Sequence, residues 1–199
     1  MRSLEDIHDE ARAAGIPIMK DDGIEFLKQL LAEHPEIQKI LEIGTAVGYS
    51  AIQMASVRED IVIDTVEINP VCAEEAVRNI ADQHLSDRIY VHHCDGADYV
   101  TMAVYDLIFI DAAKSQYQRY LEHFIDNSHE GTVFVFDNLA FHGIVDNNEL
   151  SQNRSTVQMA HKILKFRNDL LKDDRFEAVY YPDAGDGIAV AVRKSYERH

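Results

Sequence analysis

Four side chains able to bind a cation and move a proton follow two apolar runs in the second half of the chain. Asp111 closes the run DLIFID, and Asp137 and Asn138 close the run GTVFVFDN. Two carboxylates and an amide carbonyl form an all-oxygen ligand set of the kind that Mg²⁺ and other hard cations prefer. Lys114 follows Asp111 by three residues and is a candidate general base. Each side chain alone is more often a helix cap, a turn residue or a solvated lysine, so the functional interpretation requires that they come together.

A second group of residues, nearer the N-terminus, has the pattern of a nucleoside-binding turn. LEIGTAVGYS leaves an apolar run and enters a helical one, and Gly44 and Gly48 allow a tight turn that comes close to a ligand. The spacing E-x-G-x-x-x-G differs from the G-x-G-x-x-G of dinucleotide enzymes. Glu67 ends the next apolar run, where its carboxylate can accept the hydroxyl hydrogens of a ribose. A plain tight turn and a solvated glutamate are the alternatives.

The pattern around these residues predicts an α/β fold. From about residue 38, short apolar runs alternate with helical stretches, which is typical of βαβ units and of a mostly parallel sheet with helices on both faces. Residues 3–13 and 22–33 form an N-terminal helical extension. The last two runs, FEAVYYP and GIAVAVRK, are joined by the turn residues 182–187, which predicts a hairpin and a final antiparallel strand. We predict a single domain over residues 1–199, with N-terminal helices over 1–36 and the core over 37–199.

The motifs resemble those of a known enzyme class. LEIGTAVGYSA followed by VEINP is similar to the first two motifs of class I S-adenosylmethionine-dependent methyltransferases. DAAK…DN resembles the D-x-x-K…DN signature of the metal-dependent branch that contains catechol and caffeoyl-CoA O-methyltransferases. This resemblance extends over nearly the whole chain and implies a Rossmann-like methyltransferase fold with a seven-stranded sheet.

The same resemblance implies roles for individual residues. It implies that S-adenosylmethionine contacts the following set: Met19, Glu42, Gly44, Ser50, Glu67, Asp95, Gly96, Ala97 and Asp111. It implies that Asp111, Asp137 and Asn138 bind Mg²⁺ or another divalent cation, and that Lys114 and Asp111 are catalytic. Methylation of a hydroxyl suits these residues, because a phenol-like hydroxyl is mostly protonated at pH 7, a cation lowers its pKa and a base removes its proton.

Two kinds of hydroxyl substrate are compatible with the motifs. The opening segment EARAAGIPIMKDDGIEFLKQLL resembles the bacterial branch that methylates 5-hydroxyuridine in tRNA to 5-methoxyuridine, and on this ground we predict tRNA as substrate and partner. A small catechol-like or phenolic molecule is the alternative. The net charge of -16 counts against binding to RNA phosphates. A local basic patch would have to come from residues near the polar stretch 139–155: Arg154, Lys162, Lys165 and Arg167.

Two other function classes are weaker. A non-catalytic nucleoside-binding protein would have no need of the four residues around Asp111, and a nicotinamide-dependent reductase is disfavoured by the missing G-x-G-x-x-G. There is no apolar run of the length that spans a membrane, the N-terminus is charged, and the chain has only two cysteines. We therefore predict a cytoplasmic protein without a membrane partner, and the resemblance implies a homodimer.

Overall fold

The computed structural model describes residues 2–147 and 151–195. The helices of this part of the chain are α1 (Leu4–Ala13), α2 (Asp21–Glu33), α3 (Tyr49–Ala55), α4 (Pro70–Asp82), α5 (Tyr117–Phe124) and α6 (Arg154–Leu170). The strands are β1 (Lys39–Ile43), β2 (Val62–Glu67), β3 (Ile89–His93), β4 (Tyr105–Ile110), β5 (Ser128–Phe136), β6 (Phe176–Tyr181) and β7 (Ile188–Arg193). They form one mixed sheet in the order β3-β2-β1-β4-β5-β7-β6, which confirms the predicted fold class.

The chain divides into two compact units between Met102 and Ala103. The first unit contains α1 to α4 and three parallel strands, in which β2 pairs with both β1 and β3. Ser3 and Asp6 form a capping box at the start of α1, and the Asn69 side chain caps α4. Both N-terminal helices begin and end within one residue of the predicted positions. The parallel register aligns Ile43 with Val66 and Glu67 with His93, so the carboxyl ends of the three strands lie side by side.

The second unit contains the other four strands. β4 and β5 are parallel, whereas β7 is antiparallel to β5 and to β6. The predicted hairpin is confirmed, with one difference: its antiparallel strand β7 lies between β5 and β6, so β6 is the edge strand of the sheet. Residues 188–191 of β7 are buried, whereas every second residue of the edge strand β6 is exposed.

The structure does not test the predictions about domain count, cellular location and oligomeric state. Among the described residues, no helix combines the length and the apolar character needed to cross a bilayer. The single domain over residues 1–199, the cytoplasmic location and the homodimer therefore stay predictions.

Candidate active site

The glycine-rich turn after β1 has a backbone that only small residues adopt easily. Gly44, Ala46 and Gly48 have φ angles of 107°, 46° and 84°, all in the left-handed region. A Cβ atom on Gly48 would lie 3.3 Å from the Cβ of Ala76 in α4. The turn is thus packed closely against α4, and both of its predicted glycines have a structural reason to be glycine.

Glu67, at the end of β2, holds the strand ends of the first unit together. One carboxylate oxygen accepts the backbone N–H of Ala46 at 2.8 Å, and the other accepts the N–H of Asn69 at 2.8 Å. Its backbone carbonyl accepts the N–H of Cys94 at 3.1 Å, immediately before the predicted segment 95–97. Glu67, at the end of β2, is therefore hydrogen-bonded to the glycine-rich turn and to the residue that precedes 95–97. The sequence motifs assign all three segments to the cofactor. Each carboxylate oxygen of Glu67 has a further lone pair for a ligand hydroxyl.

The third segment is a tight turn after β3. Asp95 accepts the N–H of Ala97 at 2.9 Å through its own side chain, and Gly96 and Ala97 are buried. Met19, which the sequence also assigns to the cofactor, is buried in the connector between α1 and α2. The cofactor roles of these four residues stay predictions.

Glu42 and Ser50 form a buried polar cluster beneath the turn. The Ser50 hydroxyl donates to one carboxylate oxygen of Glu42 at 2.5 Å, and the Thr65 hydroxyl donates to the other at 2.5 Å. Burial raises the pKa of Glu42 to about 7 despite these two hydrogen bonds. The sequence motifs predicted that Ser50 contacts the cofactor, but in this structure its hydroxyl is engaged by Glu42. Thr65 was missed because a threonine within a strand gives no sequence signal of such a bond.

We expect Glu42 to make stability depend on pH. Its pKa is raised on folding, so the folded protein keeps the proton up to about pH 7, while the unfolded chain releases it near the ordinary glutamate pKa of 4.5. The free energy of unfolding should therefore fall as pH rises between these values and be level above them. Relative to Glu42→Gln, the wild type should lose about 3 kcal/mol between pH 4.5 and 8. Urea unfolding of both proteins measures this, and a pH-independent difference would contradict it.

In the second unit, the structure brings the three predicted metal ligands together. β4 and β5 are neighbours, and the Asn138 amide nitrogen donates to the Asp111 carboxylate at 2.8 Å. Asp137, which is 2% exposed, accepts the N–H of Asn138 at 2.6 Å. Asn138 has a φ of 62°, which turns the chain sharply at the strand end. The carbonyl oxygen of its amide group is left for a ligand, given this assignment of the amide nitrogen and oxygen.

The negative charges of this cluster act on a buried carboxyl group. Burial and the neighbouring negative charge of Asp111 raise the pKa of Asp137 to about 7. The positive charge of Lys114 acts on the same carboxylate in the opposite direction. Two close carboxylates with an amide oxygen have the donor chemistry of a hard-cation site. Among the described residues, no group of three or more histidine, cysteine, aspartate and glutamate side chains could hold a metal. The cluster of Asp111, Asp137 and Asn138 contains only two such side chains, and its third potential ligand is an amide oxygen.

Two details of this unit differ from the prediction or extend it. Lys114 begins a short 3-10 turn, Lys114–Gln116, rather than the α-helix itself, which begins at Tyr117. The buried Tyr117 hydroxyl donates to the backbone carbonyl of Asp137 at 2.8 Å, and its ring packs against Phe166. Sequence reasoning missed Tyr117 because an aromatic residue at the start of an amphipathic helix also fits ordinary core packing.

Comparison with known proteins decides the family. The family model described as O-methyltransferase matches residues 2–194. The chain belongs to the O-methyltransferase family. A catechol O-methyltransferase of Niastella koreensis is 31% identical to it over 196 residues, which covers 93% of this chain and 86% of that protein. The caffeoyl-CoA O-methyltransferase 1 of Arabidopsis thaliana is 29% identical over 185 residues, with 88% and 70% covered.

Solved structures agree with this assignment. A Staphylococcus aureus protein superposes on this O-methyltransferase with a TM-score of 0.89 at 29% identity, covering 97% of this chain and 93% of the other. The Bacillus cereus O-methyltransferase in complex with S-adenosylhomocysteine has a TM-score of 0.80 at 28% identity, covering 96% and 90%. The enzyme is thus an S-adenosylmethionine-dependent O-methyltransferase.

Proposed function

We propose that this O-methyltransferase uses a divalent cation, held by Asp111, Asp137 and Asn138, to methylate a hydroxyl of a small catechol-like molecule. The observation that carries the proposal is the 2.8 Å contact between Asn138 and Asp111 beside the buried Asp137. These three side chains would supply oxygen ligands to a hard cation, and the two adjacent oxygens of a catechol could supply others.

For the cofactor side, we propose that the first unit binds S-adenosylmethionine at the ends of its three strands. Glu67 accepts hydrogen bonds from the ribose hydroxyls with the lone pairs that are not used by the N–H groups of Ala46 and Asn69. The turn from Gly44 to Gly48 lets the backbone approach the methionine part, and residues 95–97 lie along the adenine. Met19, Glu42, Ser50 and Asp111 complete the proposed contacts, with Glu42 acting through Ser50 and Thr65.

In the proposed reaction the substrate oxygen would attack the methyl carbon of S-adenosylmethionine, the S–C bond would break to release S-adenosylhomocysteine, and a bound dication would make the substrate hydroxyl more acidic. Lys114 accepts the hydroxyl proton on its amine nitrogen, for which it must first be neutral. Asp111 and Asp137, which are fixed at the ends of their strands, orient the substrate hydroxyl that receives the methyl group. Tyr117 keeps the backbone of Asp137 in place through its hydroxyl. Positioning then contributes a large part of the rate, because the attack on the methyl group is in line.

The relatives support a small hydroxylated substrate over tRNA. The proteins named above act by name on catechol and caffeoyl-CoA, and a Mycobacterium tuberculosis catechol O-methyltransferase matches 65% of this chain at 33% identity. Matches to two tRNA methyltransferases cover only 44% and 35% of the chain, and both are named for adenine N6 rather than for a hydroxyl. The earlier preference for 5-hydroxyuridine in tRNA gains no support from these relatives.

The basic patch that tRNA binding would require is partly neutralised. Arg167 is buried, donates to Asp146 at 2.6 Å and lies over the Tyr180 ring at 4.4 Å. Lys165 pairs with Asp169 at 2.5 Å. Two of the four candidate basic residues thus have carboxylate partners within the protein. The net charge of -16 also disfavours binding to RNA phosphates.

A methylation assay tests the proposal. Purified enzyme with S-adenosylmethionine, Mg²⁺ and a catechol should yield a mono-methyl ether, and a chelator should lower turnover at least about 100-fold because the cation contributes several kcal/mol. Phenol, which has one hydroxyl, is the matched control and should react poorly. Parallel reactions use tRNA bearing 5-hydroxyuridine. Methylation of that tRNA without methylation of any catechol, or full activity in chelator, would contradict the proposal.

A further inference from the structure

We propose that Asp186, in the turn between β6 and β7, is a positioning residue that holds the segment 137–142 in the shape that binds a cation. This inference rests on the metal role proposed above. It concerns a residue that sequence reasoning treated only as part of a turn and that the proposed chemistry does not use.

The backbone of the segment 137–142 is strained. Asn138, Phe141 and His142 have φ angles of 62°, 49° and 56°, although none of them is glycine. Left-handed backbone is unfavourable for residues that carry a Cβ atom, although asparagine and histidine tolerate it better than most. Three of them within five positions persist only if the surrounding structure holds them, so the contacts of this segment are informative.

Those contacts converge on Asp186 and the residue after it. Both carboxylate oxygens of the buried Asp186 lie 3.0 Å from the backbone nitrogen of His142, and its Oδ2 lies 3.3 Å from His142 Nδ1. The backbone carbonyl of Asp186 accepts the N–H of Ala140 at 2.7 Å, and that of Gly187 accepts the N–H of Leu139 at 2.8 Å. The left-handed His142 is therefore fixed by a side chain 44 positions away.

The same residue also reaches a proposed metal ligand directly. The backbone N–H of Asp186 donates to the Asp137 carboxylate. Gly187 keeps the two segments in contact, since a Cβ atom there would lie 2.7 Å from the backbone nitrogen of Ala140. A change in the Asp186 side chain that releases His142 thus moves both the turn that carries Asn138 and a hydrogen bond of Asp137. The inference follows from these shared bonds.

The test measures Mn²⁺ binding to the full chain by electron paramagnetic resonance, with S-adenosylhomocysteine binding by calorimetry in the same samples. Asp186→Asn keeps the side-chain volume but loses the charge and one acceptor oxygen. We expect it to raise the Kd for Mn²⁺ about 10-fold, the lower end of the effect of residues that orient metal ligands. Asp183→Asn, at an exposed carboxylate of the same turn, should leave the Kd unchanged. The affinity for S-adenosylhomocysteine should be the same in all three proteins.

A second change distinguishes positioning from general stability. Glycine adopts φ angles near 56° without strain, so His142→Gly added to Asp186→Asn should bring the Mn²⁺ affinity back to within about threefold of the wild type. Loss of S-adenosylhomocysteine binding in parallel with Mn²⁺ would overturn the inference, because it would indicate general unfolding. Wild-type Mn²⁺ affinity in Asp186→Asn, with no binding in Asp137→Ala, would overturn it while the proposed function stands. A wild type that binds no Mn²⁺ would overturn both.

Discussion

Asp137→Ala is expected to lower kcat/KM for methyl transfer about 1000-fold while leaving S-adenosylhomocysteine binding unchanged. The reason is that Asp137 is a buried carboxylate of the proposed cation site, and the loss of several kcal/mol of stabilisation corresponds to this factor. The same change should alter the stability of the metal-free fold little, because it removes the acceptor of the Asn138 N–H but also the repulsion between Asp137 and Asp111, which together with burial raises the pKa of Asp137.

Steady-state kinetics with Mg²⁺ and thermal unfolding with chelator check this pair of expectations. Asp183→Ala is the matched control, since it removes an exposed carboxylate from the same unit, and it should change neither quantity. A variant Asp137→Ala that keeps its activity would contradict the cation role. An unfolding midpoint that drops by 5 °C or more without metal would show that Asp137 is needed for the fold itself.

The sequence predicted most of the fold because its signals are local. Apolar runs bounded by turn residues gave the strands, and apolar residues at helical spacing gave the two N-terminal helices. The position of β7 between β5 and β6 was not predicted. Both arrangements of a terminal hairpin satisfy the same apolar pattern, and only the burial of β7 against β5 decides between them.

The candidate site was predictable where function depends on residue type at strand ends, and less so where it depends on partners far along the chain. Asp111 and Asn138 lie together because parallel neighbouring strands end at the same edge, which the sequence pattern implies. The engagement of Ser50 by Glu42, and of His142 by Asp186, depends on side-chain directions that no spacing reveals. The inward direction of Arg167, which donates to Asp146, was not predictable for the same reason.

A common physical feature links both units of the enzyme. In each, a carboxyl group with a raised pKa of about 7 is buried at the end of a central strand: Glu42 in β1 and Asp137 directly after β5. Burial favours the protonated form of Glu42, although the two hydroxyls that donate to it favour the carboxylate, whereas Asp137 has a second carboxylate beside it. The burial of Glu42 therefore makes the fold less stable as pH rises to about 7, and the two carboxylates at Asp137 would favour a bound cation.

Lys114→Ala is expected to lower kcat about 100-fold, the lower end of what a positioned general base contributes. Lys114 follows Asp111 by three residues, and its positive charge acts electrostatically on Asp137. Without the amine, hydroxide from solvent must remove the substrate proton. The logarithm of kcat for Lys114→Ala should therefore keep rising with pH over a range in which the wild-type value has become level. Single-turnover measurements across pH 6–10 give both curves.

Lys114→Arg separates the two roles that a lysine can have here. Arginine keeps the positive charge beside Asp137 but cannot be deprotonated, so it cannot serve as a base. If Lys114 removes the proton, Lys114→Arg should be as slow as Lys114→Ala, with Mn²⁺ affinity close to that of the wild type. Activity of Lys114→Arg near the wild-type level would mean that only the charge matters, since a guanidinium group can balance the carboxylates but has no lone pair to accept a proton.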